Sequence, residues 1–450
     1  MRALSVIVGA CVTWVGCSDA GPGPGDARVA DAGADLAPPD MRPVDAGALD
    51  AGDGGAPEGP CYASDAWTCV PVGANEAYGE HRFAVPAAQN WVQTGLFLRE
   101  GETATVIDEG GEWSLGLGAP AGIDHSSCLT GQLVARIGLH YEDEQITCVE
   151  GTATVTAPRD GLLFVGMLPS NDLGETYETR RRATGARSVT VRADAGVGAT
   201  VPTVPRAAVA DFPYAEVASG WVELAGEHVI ATLPVETALA DRDGLGAALD
   251  RLDEAYELHE ELRGAVPQQG QRLRFFPDGT QPGYMLAGNP IRMALGLVSL
   301  TNEDRISRAG VPADEAQIWG FVHEMGHDFT FVNGAWNYQE RSLEAWPNVF
   351  SVHALERLGI ALHPQLARCA DGPFPYAEDW DPWEGLCFLL ELREHRGFDH
   401  YADFFRGLNA LTPGQVPGFL PRWVFVHDLM ERTTGADVTP IFDAWNVPRP

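Results

Sequence analysis

The stretch "IWGFVHEMGHDFTFV", residues 318–332, places the strongest constraint on how this 450-residue chain can fold. It contains His323, Glu324 and His327 in the spacing H-E-x-x-H. The apolar residues around them recur at the intervals of a helix with one buried face. Because residues four apart on a helix lie one above the other, both imidazoles can point at the same ion. The spacing therefore predicts a helix that binds zinc.

Glu324 and a third ligand would complete this site. Glu324 lies one position round the helix from His323, so its carboxylate can reach a water at the metal but not the metal itself. A catalytic zinc also needs a third protein ligand and one open coordination position. Glu340 and Glu344, which both follow His327, are the candidates, and their spacing alone does not choose between them.

The first 17 residues, "MRALSVIVGACVTWVGC", predict export. One Arg, a short apolar run and small residues before a Cys form a signal sequence, and a polar segment follows at once, as in bacterial lipoproteins. Cys17 is the predicted lipidated residue, with Cys11 as the alternative. An ordinary secretory signal is the other interpretation. We therefore expect an exported protein, either anchored at the outer membrane or cell surface or secreted.

Residues 18–60 predict a disordered acidic tether. They are rich in Ala, Asp, Gly and Pro and contain no aromatic residue, so they cannot bury enough surface to offset the entropy of ordering. The formal net charge of −33 argues against nucleic acid and anionic membrane surfaces as partners. No later run reaches the ~18 apolar residues of a membrane span. We expect a monomer that meets a membrane only through a lipid anchor.

The six other cysteines fall into three couples that are close in sequence. They are Cys61 with Cys69, Cys128 with Cys148, and Cys369 with Cys387. This arrangement favours disulfides in an oxidising compartment, although the sequence does not fix their connectivity. No Cys-x-x-Cys is present, so a cysteine metal site is not expected.

Residues 61–194 carry short runs of alternating apolar and polar residues, separated by Gly, Pro, Asn and Asp. This pattern predicts an antiparallel β-sandwich. The segments 91–116, 131–138 and 158–172 resemble the galactose-binding-like sandwich of bacterial galactophilic lectins. The resemblance implies a contact with glycans, and a structural spacer is the alternative. Those lectins hold sugar through calcium in a loop rich in Asp and Asn, where this chain has Arg180, Arg181 and Arg182, so calcium-dependent binding is not expected.

Residues 205–450 predict one α+β domain. The segment 220–234, "GWVELAGEHVIATLP", is typical of a hairpin, and residues 243–264 have helical periodicity that ends at Gly264. "QRLRFFPDG" predicts a further strand, and helical patterns dominate after residue 312. The predicted fold is thus multidomain: an N-terminal antiparallel β-sandwich, then an α+β zincin-type domain with a mainly helical C-terminal half.

Four ordered segments of residues 205–450 carry a second resemblance. They are the hairpin segment, "PGYMLAGNPI", the H-E-x-x-H stretch with Trp336 and Glu344-x-x-x-Asn348 after it, and the C-terminal run that begins "DPWEGL" and closes "TTGADVTPIFDAWNVP". Together they resemble the enhancin-like, mucin-targeting zinc metallopeptidases, the sixtieth family of metallopeptidases, of gluzincin type.

This resemblance implies the ligand set and the cofactor. His323, His327 and Glu344 would bind Zn²⁺, and Glu324 would be the general base that takes a proton from the attacking water and passes it to the leaving amine. The resemblance also implies cleavage of peptide bonds in mucin-like, O-glycosylated proteins. Trp336, in the loop between the ligands, is the candidate for substrate contact.

Pro347 departs from the family pattern, because it falls three residues after Glu344, where a helix is expected. Proline inside a helix removes a hydrogen bond and clashes with the preceding turn. Either the helix starts near Pro347, with Glu344 just before it, or it starts at Ser342 and is bent. Glu340 therefore stays an alternative third ligand.

Several neighbouring residues have weaker signals. Tyr338 and His353 are close enough in sequence to stabilise an oxyanion, although such residues are more often packed, and Asp328 could orient a ligand imidazole. Five tryptophans are expected in the core: Trp319, Trp346, Trp380, Trp383 and Trp445. Two other functions compete with the leading one. They are a glycan-binding surface adhesin with an inactive peptidase-like domain, and a zincin that acts on unglycosylated peptides.

Overall fold

The structure is a computed structural model that describes residues 78–86, 91–111, 113–114, 128, 132–138, 146–167, 184–240, 242–265, 272–279, 285–288, 290–294, 318–330, 344–376, 380–393, 396–412, 415 and 422–450. The predicted signal sequence and tether lie outside these ranges, as do Cys11, Cys17, Cys61, Cys69, Arg180, Arg181, Arg182, Trp336, Tyr338, Glu340 and Ser342. No helix in the described ranges combines the length and apolar character that a membrane crossing needs.

Ten strands form the N-terminal part in the ranges that the structure describes. They are β1 Glu80–Pro86, β2 Val92–Leu98, β3 Thr103–Gly110, β4 Trp113–Ser114, β5 Leu133–Ile137, β6 Ile146–Cys148, β7 Thr152–Thr156, β8 Gly161–Met167, β9 Thr184–Ala193 and β10 Ala199–Thr200. One sheet has the order β1-β9-β3-β7, with β4 also on β9, and the other has the order β10-β2-β8-β5-β6. Every pairing is antiparallel.

The two sheets share one apolar core. Val106 and Val191 of the first sheet belong to the same buried cluster as Leu96, Ala135 and Leu163 of the second. This arrangement follows from the alternating sequence pattern, which gives each strand one apolar face. The antiparallel β architecture is therefore present, and its galactose-binding-like type stays a prediction. A disulfide joins Cys128 to Cys148, one of the predicted couples.

The second part of the chain is built on a mixed six-stranded sheet. Its strands are β11 Thr203–Pro205, β12 Trp221–Ala225, β13 Val229–Pro234, β14 Leu273–Asp278, β15 Met285–Leu286 and β16 Ile291–Ala294. Their order is β11-β12-β13-β14-β16-β15, so β15 is an edge strand. The predicted hairpin is confirmed as the antiparallel pair β12–β13, and the predicted strand near residue 275 is β14.

Eight helices accompany this sheet in the described ranges. They are α1 Val235–Ala240, α2 Arg242–Arg263, α3 Ile318–Thr330, α4 Ala345–Leu358, α5 Pro382–Arg393, α6 Asp399–Asn409, α7 Arg422–Thr434 and α8 Thr439–Ala444. The predicted helix 243–264 is confirmed as α2, and Gly264 ends it with a φ of +65°, which glycine adopts without strain. A second predicted disulfide, Cys369–Cys387, ties the 3₁₀ helix Pro364–Asp371 to α5.

An aromatic cluster joins the sandwich to the mixed sheet. Trp91 lies just before β2, Phe164 lies in β8, and Phe276 lies in β14. The ring centres are 5.1 Å apart for Trp91 and Phe164, and 5.6 Å apart for Phe164 and Phe276. The rings meet edge to face, the favourable geometry for aromatic pairs. This contact explains why β2 is buried along its whole length: it has one face on the sandwich core and the other on the mixed sheet.

A buried ion pair lies beside these rings. Arg274 of β14 donates to the Glu223 carboxylate of β12, and both side chains are almost fully buried. The same guanidinium lies 3.4 Å from the backbone oxygen of Trp91 and 5.2 Å from the ring centre of Phe164. One arginine of the mixed sheet thus contacts both parts of the chain. If either member of the pair is removed, the other is left as an uncompensated buried charge.

Arg274→Met should lower the free energy of unfolding by about 3–5 kcal/mol, because the Glu223 carboxylate would stay buried without its cation. The same substitution at Arg357 is the control, since Arg357 forms an exposed ion pair with Glu261 at 3.0 Å. That variant should lose about 1 kcal/mol or less. Urea titrations of both variants measure the difference, and equal losses would contradict a structural role for the buried pair.

Candidate metal centre

Two helices and the residue before one of them bring three metal-ligating side chains together. His323 and His327 lie one turn apart on α3, and their ring centres are 4.7 Å apart. Glu344 lies directly before α4, and its Oε2 is 3.0 Å from Nε2 of His323 and 3.3 Å from Nε2 of His327. One ligand atom from each residue lies within 4.8 Å of the others.

These distances fit a zinc ion. Nitrogen and carboxylate ligands lie about 2.0–2.2 Å from zinc, so two ligands at tetrahedral corners are about 3.4 Å apart. The two histidine–glutamate distances, 3.0 and 3.3 Å, are close to that separation. Two imidazoles and one carboxylate also leave a coordination position for water, as catalytic zinc sites do. The donor set is therefore suited to a catalytic zinc.

Pro347 is accommodated because α4 begins at Ala345. Glu344 precedes the helix, with φ −86° and ψ −14°, and Pro347 lies in the first turn. The first backbone N–H groups of a helix have no partner within it, so a proline there removes no hydrogen bond. Of the two arrangements that the sequence allowed, the structure has the helix that starts next to Pro347.

Asn348 connects two of the three ligands. Its Oδ1 lies 2.6 Å from Nδ1 of His323, and its Nδ2 donates to the backbone oxygen of Glu344 at 2.8 Å. Because an amide oxygen only accepts, Nδ1 of His323 carries a proton, so in the neutral ring Nε2, which lies 3.0 Å from Oε2 of Glu344, is the nitrogen that can bind a metal. Asn348 belongs to the Glu344-x-x-x-Asn348 segment of the sequence, where no role was predicted for it. The signal was its position one helical turn after Glu344.

Charge and burial act together on the ligand side chains. Burial lowers the pKa of His323, but its hydrogen bond to Glu344 and the nearby Glu324 and Glu344 charges raise it overall. Burial raises the pKa of Glu344, but hydrogen bonds from the two histidines hold it well below its usual range. Glu344 therefore stays an anion at neutral pH.

Glu324 lies on α3 but is not one of the three converging ligands. Its carboxylate accepts a hydrogen bond from the backbone N–H of Ala287, the residue after edge strand β15. Burial raises its pKa above the usual value, although the charges of His323 and His327 act in the opposite direction. A carboxylate with a raised pKa is a stronger base at neutral pH.

Gly326 sets the distance between the two ligand-bearing elements. A Cβ atom at this position would lie 2.7 Å from the backbone oxygen of Pro347 and 3.2 Å from its Cα. These separations are below van der Waals contact, so α3 and α4 approach this closely only because residue 326 has no side chain. The sequence analysis did not give Gly326 a role.

The remaining predicted residues lie elsewhere or are packed. His353 is buried against the ring of Phe398 at 4.7 Å and does not join the ligand cluster. Asp328 is buried on α3. The expected core tryptophans are confirmed: four are buried and Trp383 is half-buried against the same core. Trp336, Tyr338 and Glu340 lie outside the described residues.

The sequence matches the family described as "Peptidase M60, enhancin and enhancin-like" over residues 214–445, more than half of the chain. The chain belongs to the M60 family. The matched region contains the mixed sheet from β12 onward, α3, α4 and the three converging side chains. The family resemblance found in the sequence is thereby confirmed, and the second part of the chain is an M60 domain of mixed α/β content.

Curated relatives of this M60 chain include TRPM8 channel-associated factor 2 from Bos taurus. It is 26% identical over 407 residues, which cover 85% of this chain and 41% of the relative. The chain therefore spans about two fifths of the length of that protein. The name of this relative states an association with a channel and not a peptidase activity.

Solved structures share the fold of this chain. A functionally unknown conserved protein from Bacillus anthracis has a TM-score of 0.59 at 16% identity and covers 82% of this chain and 76% of its own. The catalytic module of the metalloprotease ZmpA from Clostridium perfringens has a TM-score of 0.54 at 14% identity. This match covers 84% of this chain and 78% of the ZmpA module. A metallopeptidase in complex with Tn antigen has a TM-score of 0.52 at 17% identity. This match covers 81% of this chain and 67% of the metallopeptidase. At these identities the likeness shows the fold alone.

Gly326→Ala should weaken zinc binding, because the added methyl group pushes α4 away and moves Glu344 from the imidazoles. The overpacking should also cost about 1–3 kcal/mol of stability. Competition with a chromophoric chelator measures the zinc Kd, and we expect it to rise about tenfold or more.

Gly359→Ala is the matched control, since Gly359 ends α4 with a φ of +67° and a Cβ there meets no atom within 4 Å. This substitution should lower the free energy of unfolding by about 1 kcal/mol through backbone strain, and it should leave the zinc Kd unchanged. An unchanged Kd in Gly326→Ala would show that the close helix contact does not hold the ligands.

Proposed function

We propose that this M60 chain is an exported zinc metalloendopeptidase that cleaves peptide bonds in mucin-like, O-glycosylated proteins. One observation carries the proposal. The imidazoles of His323 and His327 converge with the Glu344 carboxylate, and Glu324 lies beside them on the helix of the two histidines. His323, His327 and Glu344 would hold the zinc. When bound, zinc supplies a water of lowered pKa and polarises the scissile carbonyl. M60 membership supports a peptidase rather than another hydrolase.

Glu324 is the proposed general base. Its position next to His323 on α3 places its carboxylate beside the ligand cluster, where it interacts with the charges of both histidines. A carboxylate beside the metal site can take the proton of the attacking water. The carboxylic acid so formed then gives its proton to the leaving amine. The raised pKa of Glu324 favours both transfers.

Glycoprotein substrates are proposed from the family and from one structural neighbour. That neighbour is a metallopeptidase in complex with Tn antigen, and it shares the fold of this chain. We extend the glycan contact to this chain as a proposal. Trp336, in the segment between the ligand helices, and the N-terminal sandwich are the proposed contacts with peptide and sugar.

Export and anchoring are likewise proposed. The N-terminal signal sequence with Cys17 as the lipidated residue, or Cys11 in its place, would put the enzyme at the cell surface. An oxidising compartment is consistent with the disulfides Cys128–Cys148 and Cys369–Cys387. An acidic tether between anchor and domain would let a monomeric enzyme reach extended substrates.

A binding protein with an inactive peptidase fold is the second candidate. The name of the TRPM8 channel-associated factor favours it, because that relative is described by an association. The geometry of this chain favours an enzyme instead, since all three ligand side chains and Glu324 are present. A protein selected only for binding would not need the four together.

Incubation with a mucin-type glycoprotein tests the function. We expect cleavage that stops with a zinc chelator and returns when zinc is added. We also expect cleavage to be lost when the O-glycans are removed from the substrate beforehand. Retained glycan binding without cleavage, with or without chelator, would favour the binding protein. Cleavage of the deglycosylated substrate would favour a peptidase for unglycosylated peptides.

Substitution of the carboxylates separates catalysis from metal binding. Glu324→Gln should lower kcat about a hundredfold or more and leave one zinc per chain, because it removes a base and no ligand. Glu344→Gln should lower the zinc content, and Glu340→Gln should keep both zinc and activity. Metal analysis together with the cleavage assay distinguishes the three variants. Loss of zinc in Glu340→Gln with retention in Glu344→Gln would make Glu340 the third ligand.

A further inference from the structure

Helix α2 contacts both ligand-bearing helices, α3 and α4. His259 and Arg263 lie four residues apart on α2 and therefore on the same face of that helix. Both side chains are fully buried. Each directs a nitrogen at a backbone oxygen of α3. A buried polar side chain costs stability unless it forms hydrogen bonds, so the partners of these two residues indicate what they do.

His259 contacts both α3 and α4. Its Nε2 lies 3.0 Å from the backbone oxygen of Val322, the residue before His323, and so Nε2–H donates. Its ring packs against Phe329 of α3 at 5.4 Å and Phe350 of α4 at 5.3 Å. Burial lowers the pKa of His259 to about 3, so the ring is a neutral donor at any pH at which zinc binds.

Arg263 holds the other end of α3. Its Nε donates to the backbone oxygen of Phe329 at 3.0 Å. The last carbonyls of a helix have no partner within the helix, and Phe329 is the second-last residue of α3. The guanidinium also donates to Oδ1 of Asn409 in α6 and lies 5.0 Å from the ring centre of Phe405. Arg263 is therefore fixed by α6 while it binds α3.

The hydrogen bonds from His259 and Arg263 reach α3 on either side of His323 and His327. Val322 comes directly before His323, and Phe329 comes two residues after His327. A helix that is held at both positions can neither rotate about its axis nor slide along it. Rotation would move both imidazoles away from Glu344, whose distances to them are 3.0 and 3.3 Å.

We infer that His259 and Arg263 are positioning residues, which fix α3 so that His323 and His327 keep the geometry of a metal site. This inference rests on the proposed zinc site. It assigns a functional contribution to two residues that touch neither metal nor substrate. The contribution is orientation, transmitted through the backbone of α3.

The test compares His259→Met with His259→Gln. The two replacements are similar in size, but only Gln keeps an N–H that can reach the Val322 oxygen. In His259→Met we expect the zinc Kd to rise about tenfold. We also expect the visible absorption bands of the Co²⁺-substituted protein to shift, because they report the geometry around the metal. His259→Gln should restore both towards the unmodified protein.

Tyr401→Phe is the control for lost stability. The Tyr401 hydroxyl also donates from a buried position to a helix carbonyl, that of Leu389 in α5, so its loss removes a similar bond. The melting temperature of the Tyr401→Phe variant should fall, whereas its zinc Kd and its Co²⁺ absorption bands should stay unchanged. If His259→Met does not fold, His259→Asn replaces it, since the shorter amide cannot reach Val322.

The outcomes separate this inference from the proposed function. A donor-free His259 variant with unchanged Kd and Co²⁺ bands would overturn the positioning role while the zinc site stands. The same shift in Tyr401→Phe would reduce the role of His259 to general stability. An unmodified protein that binds neither Zn²⁺ nor Co²⁺ at His323 and His327 would overturn the proposed function itself.

Discussion

The close approach of α3 and α4 at Gly326 is the constraint on which the site depends. Glu344 meets the two imidazoles only because the first turn of α4, with Pro347, lies directly against the backbone of α3. A side chain at residue 326 would clash with the backbone of Pro347 and push the two helices apart. The same turn carries Asn348, which fixes the tautomer of His323. The contact at Gly326 thus sets how closely Glu344 approaches the two imidazoles.

The surroundings convert this contact into a rigid polar site inside an apolar domain. Most of α3 and α4 is buried in the core of the M60 domain, and α2 supplies two buried donors to the backbone of α3. Ala287, next to edge strand β15, hydrogen-bonds the Glu324 carboxylate. The ligands, the base and the supporting donors therefore come from four elements. The chemistry requires that these four elements keep their positions relative to one another.

The sequence predicted the local features and missed the contacts between distant segments. The hairpin β12–β13, helix α2 and the helical H-E-x-x-H stretch follow from periodicity, and two disulfides follow from cysteine spacing. Spacing could not choose between Glu340 and Glu344, place the start of α4, or reveal His259 and Arg263. It also missed the buried Arg274–Glu223 pair of the mixed sheet, whose arginine contacts the sandwich. Each of these depends on packing between segments far apart in the chain, which no local pattern encodes.

The most direct measurement is X-ray diffraction from zinc-loaded crystals at the zinc absorption edge. We expect one anomalous peak per chain, about 2.0–2.2 Å from Nε2 of His323, Nε2 of His327 and a carboxylate oxygen of Glu344. The Oδ1 atom of Asn348 should stay within hydrogen-bonding distance of His323. A peak ligated by Glu340 in place of Glu344, or zinc bound away from α3, would contradict it.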